Sequence, residues 1–197
     1  IFLAGHETTA NALSWTWYLL SKNPAVERRL RSELTEVLNG RTPTFSDLPK
    51  LHYTSMVFEE ALRLYPPIWV FSREALNEDE IGGYKIPQKS VVAVSPYALH
   101  RNPKFWQNPE GFDPERFRPE LTDKRSRYTY LPFGGGPRQC IGNNFAIMEA
   151  QLIMATVLQR YHLHLVPTHP VELEPLITLR PKGGMWVSLE SVGILNH

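Results

Sequence analysis

Cysteine is nearly absent from these 197 residues: Cys140 stands alone, so no disulfide framework can form within the chain. An excess of charge is equally lacking. Lys and Arg number 21 against 20 Asp and Glu, a formal +1, and no run of like charge stands out. That balance argues against a nucleic-acid binder working through phosphate neutralisation. Long apolar runs are missing too: the longest uncharged stretch near the start, residues 8–21, is short of the ~20 residues a membrane span needs and carries Asn11 and Ser14. There is no initiating Met and no secretory leader. The chain opens on Ile1-Phe2-Leu3-Ala4-Gly5, inside an apolar helical pattern without a cap, so residues 1–197 are expected to be part of a longer protein. Proline is what abounds. Seventeen of them imply long irregular stretches, within an otherwise ordinary globular composition of 42% hydrophobic and 11% aromatic residues.

The first three elements read as helices. Residues 1–20 are apolar nearly all round, which predicts a buried helix. Pro24 opens a second, amphipathic helix to about Leu38, with Val26, Leu30, Leu34, Val37 and Leu38 inward, and Asn39-Gly40 stops it. A third, about Tyr53 to Leu64, ends against Pro66-Pro67. Residues 81–87 followed by 90–94 predict a short hairpin of strands. From Pro96 to Pro132 no period persists, and loops of that length are usually functional. A last helix is expected over 142–161, with short strands near 162–166, 173–179 and 185–189. Helices first, small sheets after and no βαβ rhythm make the chain mainly α with small β-sheets, an α+β arrangement.

Three places carry chemistry. Cys140 lies in Phe133-Gly134-Gly135-Gly136-Pro137-Arg138-Gln139-Cys140-Ile141-Gly142, just before the last helix. Glycines allow backbone N–H groups to converge, and the helix N-terminus adds a positive field, both favouring thiolate. Arg138 supplies a cation. A buried, inert cysteine is the plainer alternative. The Lys-Ser/Thr pair of a phosphate loop is absent. Glu60 and Arg63, three apart on the third helix, can pair; Met56, Val57, Ala61 and Leu62 around them imply burial, and Arg116 of Pro114-Glu115-Arg116-Phe117 could complete a network. Alone, such a motif is more often a surface ion pair. Ala4-Gly5-His6-Glu7-Thr8-Thr9 places an acid and a hydroxyl in an apolar helix, and Thr8 can bond back to the Ala4 carbonyl and open a bend. Those residues suit a proton path or, alternatively, a solvated helix face. The zinc-protease spacing H-E-x-x-H fails at Ala10.

Taken in this order, these motifs resemble the C-terminal part of the cytochrome P450 superfamily, the haem-thiolate monooxygenases, over essentially the whole chain. The resemblance implies the later part of that fold, from its long central helix through the cysteine loop, with the earlier part of the domain missing. It implies haem b with Cys140 as the thiolate ligand of iron. Phe133 would shield the sulfur, Gly136 and Gly142 would permit close approach, and Arg138, with Arg73 less securely anchored in the pattern, would pair with haem propionates. Ala4 and Gly5 would lie against the haem face, and Glu7 and Thr8 would deliver protons to bound dioxygen. Glu60, Arg63 and Arg116 would form a structural triad. The implied activity is O2 activation with reducing equivalents from NAD(P)H through a ferredoxin, flavodoxin or reductase-type partner, hydroxylating or epoxidising an organic substrate.

By the same resemblance, Ile68 and Val70 after Pro66-Pro67, and Leu176 and Ile177 near the end, touch substrate. All are apolar, which favours a lipophilic molecule such as a fatty acid, alkane or terpenoid; core packing explains them equally well. A peroxygenase or isomerase without an electron partner, or an inactive partial chain, are the alternatives, the first disfavoured by Glu7-Thr8. A metal module of His162, His164 and His169 lacks supporting ligands. Arg138, Lys124, Arg125 and Arg127 could form a basic docking patch for an acidic electron donor, or a solvated loop. By the same resemblance a prokaryotic member is expected in the cytoplasm, and membrane-anchored members, the alternative, share this half of the fold.

Overall fold

The computed structural model describes residues 2–193. Three helices open it: α1 (Phe2–Lys22), α2 (Pro24–Leu38) and, after a 3-10 turn at Phe45–Lys50, α3 (His52–Leu64). Local chemistry sets their ends. Pro24 sits in the first turn of α2, where its missing N–H costs no bond, and Asn39 closes the helix in the left-handed region at φ 47°. The Glu33 carboxylate of α2 accepts the Tyr53 and Thr54 amides at 2.6 and 2.8 Å, an anion on the N-terminus of α3.

Helix α3 packs against α1, α2 and the late helix α6 (Asn143–Leu158). Leu30, Leu34 and Leu38 of α2, spaced four apart, meet Val57, Phe58 and Leu62 of α3 and Ala150, Met154 and Leu158 of α6 in one core. Burying each such side chain stabilises by roughly 1.5–3 kcal/mol. Helix α1 departs from the expected all-round burial. Its residues from Thr9 onward supply the buried positions, whereas Phe2 to Glu7 are exposed, and Ile1 lies outside the described residues.

Four separate two-stranded antiparallel sheets complete the fold. Strand β1 (Phe71–Glu74) pairs with β4 (Val91–Val94), and β2 (Asp79–Ile81) with β3 (Tyr84–Ile86). Residues 90–94 therefore do not extend the 81–87 hairpin; they return to β1, which the sequence left unassigned. After the one-turn helices α4 (Pro96–Leu99) and α5 (Pro119–Thr122) and α6, β5 (Tyr161–Leu165) pairs with β8 (Val187–Ser191). The expected single strand over 173–179 is instead a hairpin, β6 (Leu173–Pro175) and β7 (Leu179–Pro181), turning at residues 176–178. The meander from 96 to 132 holds short helical turns, including 3-10 turns at Pro114–Phe117 and Arg127–Thr129, and Pro96, Pro114 and Pro119 sit at first-turn positions that tolerate them. No described helix is long and apolar enough to cross a membrane.

Candidate functional site

The Cys140 loop is a tight reversal held by its own backbone. The Gly134 amide bonds to the Leu131 carbonyl at 3.2 Å, a 3-10 turn covers Gly136–Arg138, and the Cys140 amide reaches the Phe133 carbonyl at 3.0 Å. Gly136 takes φ +70°, a region other residues rarely adopt, and a Cβ built there would meet nothing within 4 Å. The conformation, not crowding, requires glycine. Gly142 caps α6, and its Cβ position lies 4.0 Å from the Cys140 sulfur. Phe133 packs against the main core, fixing one end of the loop. Cys140 is free and exposed, with Arg138 and Ile141 beside it, Ile141 at 98% exposure. The amides of Ile141 and Gly142 meet no acceptor among the described residues, so the sulfur sits near donors and a helix N-terminus.

Behind the loop, Glu60 and Arg63 are fully buried and paired at 2.6 and 2.8 Å. Arg63 also bonds the carbonyls of His100, Pro109 and Gly111 at 2.8, 2.7 and 2.9 Å, so all its donors are satisfied. Glu60 accepts the Asp113 amide at 2.9 Å, and Arg116 approaches it to 3.3 Å while bonding the Gln107 and Asn108 carbonyls. The three residues thus meet around the meander. Glu59, next in α3, faces a pocket of about 210 Å³ shared with Tyr130, Phe133, Gly134 and Gln139. Burial pushes its carboxyl up to about 7, against the pull of Arg125 and a Ser55 bond.

On the other flank, Thr8 donates to the Ala4 carbonyl at 2.6 Å, yet α1 continues uninterrupted rather than opening. Glu7 has a partner that motif reading missed: the Thr178 hydroxyl donates to its Oε1 at 2.7 Å, and Asn11 donates to Thr178 at 3.1 Å. Thr178 is buried at the β6–β7 turn. That turn is pinned by Trp15 to the Leu179 carbonyl at 2.9 Å, by Trp69 to the Leu176 carbonyl at 2.8 Å, and by the Leu179 amide to the Pro67 carbonyl at 2.8 Å. The stretch holding Ile68 and Val70 is thereby joined to the tip carrying Leu176 and Ile177 beside α1. Ile68 and Val70 are half-buried, while Ile177 is 90% exposed among the described residues. Ala4 and Gly5 are exposed on the same helix, with open space at the Gly5 Cβ position.

Arg73 does not join the cysteine loop through any contact; it is exposed on β1, donating to the Ser72 carbonyl at 2.8 Å and lying over the Phe71 ring. Arg125 leaves the expected basic patch. Its guanidinium covers the Trp106 and Phe117 rings at 4.4 and 4.7 Å, which draws it off the surface that Lys124, Arg127 and Arg138 keep. His162 and His164 pair with Glu27 and Glu190, and no group of three or more His, Cys, Asp or Glu gathers among the described residues.

The family model for Cytochrome P450 matches residues 1–187. The chain belongs to the cytochrome P450 family. Curated P450 relatives align over most of it: cyclooctatin synthase of Streptomyces melanosporofaciens, 46% identical over 91% of this chain and 39% of that protein; a putative cytochrome P450 132 of Mycobacterium tuberculosis, 45% identical over 94% and 40%; and human cytochrome P450 4V2, 40% identical over 94% and 36%. The chain spans about two-fifths of the length of these relatives.

The P450 family implies a haem held by a cysteine thiolate, and the residues present fit one. Among the described residues Cys140 belongs to no cluster of three or more His, Cys, Asp or Glu, which suits an ion arriving with its other ligands in place, as iron does in a porphyrin. Exposed Phe2, Leu3, Ile141 and Ile177 offer apolar surface of the kind a macrocycle covers.

Proposed function

We propose that residues 1–197 are the haem-ligating C-terminal part of a P450 domain that inserts one oxygen atom from O2 into a lipophilic substrate. The reading is supported by one observation: a lone, exposed cysteine in a glycine-shaped loop at a helix N-terminus. Cys140 would hold the iron, Phe133 would shield the sulfur, Gly136 and Gly142 would keep the backbone close, and Arg138 and Arg73 would meet propionates. When bound, the haem would supply reductive cleavage of O2 and oxygen transfer, favoured by electron release from the thiolate.

The protein's own residues handle protons and substrate. Thr8 keeps its hydroxyl hydrogen on the Ala4 carbonyl, leaving its oxygen free to accept a hydrogen bond from water. The Thr178 hydroxyl fixes Glu7 Oε1, which leaves Oε2 to exchange a proton with solvent. Ala4 and Gly5, exposed on α1, would offer a small-residue surface to a bound haem. Ile68, Val70, Leu176 and Ile177 would contact an apolar substrate, with fatty acids, alkanes and terpenoids as the classes to screen. Glu60, Arg63 and Arg116 would support the loop without taking part in the reaction. Electrons would come from NAD(P)H through a ferredoxin, flavodoxin or reductase docking near Lys124, Arg127 and Arg138.

The deciding experiment is the absorption spectrum of the reduced, CO-bound, haem-loaded protein beside its Cys140→Ser variant. The strongly red-shifted thiolate band is expected in the parent and absent in the variant. A folded parent that binds haem without that band would overturn the reading.

A further inference from the structure

We infer that His100 is the positioning residue that ties the approach to the Cys140 loop to the buried Glu60–Arg63 pair, and so holds the sulfur's direction; the inference rests on the haem-thiolate reading. His100 is fully buried in the meander, at the end of α4. Its Nε2 meets the Leu131 amide at 2.8 Å. An amide can only donate, so Nε2 is an acceptor and the ring proton sits on Nδ1, which donates to the Arg63 carbonyl at 3.2 Å. Arg63 returns a bond from Nη1 to the His100 carbonyl at 2.8 Å. One imidazole therefore spans two chain segments with its two nitrogens.

The geometry continues to the cysteine. The Leu131 carbonyl accepts the Gly134 amide, and Phe133, two residues on, accepts the Cys140 amide at 3.0 Å. Tyr130 adds a parallel tie, its hydroxyl donating to the Glu59 carbonyl of α3 at 2.8 Å. The His100 ring lies against Tyr130 and Trp106, with centroids 5.1 and 6.4 Å away, so its tilt is fixed by packing. Burial pushes the His100 pKa down to about 3, with the charges of Arg63, Arg101 and Arg125 acting in the same sense, so the neutral ring that can accept from Leu131 persists at physiological pH. His100 would act one layer further out than the groups that hydrogen-bond a metal ligand, by fixing the backbone that leads to it.

The test uses the complete, haem-loaded protein with His100→Phe, which keeps a ring but no polar atom, and His100→Gln, which keeps a donor and an acceptor. The first readout is the rate at which the reduced CO complex loses its thiolate band. The second, on haem-free protein, is amide hydrogen exchange along residues 131–140. His100→Phe should lose the band at least tenfold faster and exchange faster over 131–140 with α6 unchanged, and His100→Gln should restore most of both. Wild-type behaviour in His100→Phe, or faster exchange spread equally over the whole chain in both variants, would overturn the inference. If His100→Phe does not fold, histidine nitrogen NMR shifts of the wild type decide: protonation at Nδ1 supports the link, and at Nε2 overturns it. Persistence of the band in Cys140→Ser would sink the haem-thiolate reading instead, while the exchange data still judge His100.

Discussion

At the scale of single residues, Thr8 shows how a helix can hold a hydroxyl and leave its oxygen unsatisfied as an acceptor. Its hydrogen rests on the Ala4 carbonyl at 2.6 Å, a bond that satisfies the donor without breaking α1. The oxygen is left as an acceptor, and Glu7 one residue earlier is steadied by Thr178. Thr8→Ala removes the acceptor but leaves the helix, since alanine is the better helix former. On the monooxygenase proposal, the variant of the complete, haem-loaded protein should divert several-fold more reducing equivalents to peroxide, and Thr8→Ser should restore coupling. Unchanged coupling in Thr8→Ala would remove Thr8 from the proton path. The residues that sequence reading missed share one property: their partners are distant. Thr178 lies 171 positions from Glu7, and His100 lies 37 from Arg63 and 31 from Leu131. No local spacing announces such pairs, whereas Glu60 and Arg63 are three apart and legible as a pair on one helix.

At the scale of elements, legibility follows the same division. Helices α2 and α3 were readable because their stops are local: Pro24, Asn39-Gly40 and Pro66-Pro67 act through their own backbone dihedrals. Strand β1 was not, because Phe71-Ser72-Arg73-Glu74 has no alternation and owes its extended form to pairing with β4 across the β2–β3 hairpin. The 173–179 stretch misled for another reason: apolar Leu176 and Ile177 continue the strand pattern but stand exposed at the hairpin tip. The cysteine loop was legible down to its glycines, and its geometry gives a graded expectation. At Gly136 the left-handed φ calls for glycine by itself, since a Cβ meets no neighbour among the described residues of the chain itself. Gly136→Ala should therefore cost about 1–2 kcal/mol. Gly136→Asn should cost less, because Asn tolerates that region, and Gly136→Val should cost most. Denaturant unfolding of the three variants checks the order; equal losses would mean crowding, not dihedral strain, selects the glycine.

At the scale of the whole molecule, buried His100 in the meander and half-buried Glu59 on α3 oppose each other in the pH response of stability, and Glu60, raised by burial against its pairing with Arg63, acts in the same sense as Glu59. His100 has its pKa lowered from 6.5 to about 3, mainly by burial, so the unfolded chain binds the extra proton in that interval. Its contribution is complete above pH 6.5 and is lost as the pH falls toward 3. Glu59 is raised from 4.5 to about 7, again mainly by burial, so here the folded chain holds the proton. Its contribution is complete below pH 4.5 and is lost as the pH rises through 7. Each tilts stability by at most about 1.4 kcal/mol per pH unit. Between pH 4.5 and 6.5 the His100 and Glu59 slopes have opposite signs and offset each other. Below 4.5 only the His100 slope remains, joined by Asp47, whose carboxyl is held low by hydrogen bonds from Arg41 and then Thr44, and stability should fall. Glu59→Gln removes the counter-slope, so its stability should already decline from pH 6.5 downward. His100→Gln removes the other, so its stability should rise as the pH drops from 7 to 4.5. Urea midpoints of the three proteins across pH 4–8 measure this directly. A wild-type curve that falls steeply below 6.5, superimposed on that of Glu59→Gln, would show that Glu59 titrates in water rather than in the pocket behind the cysteine loop.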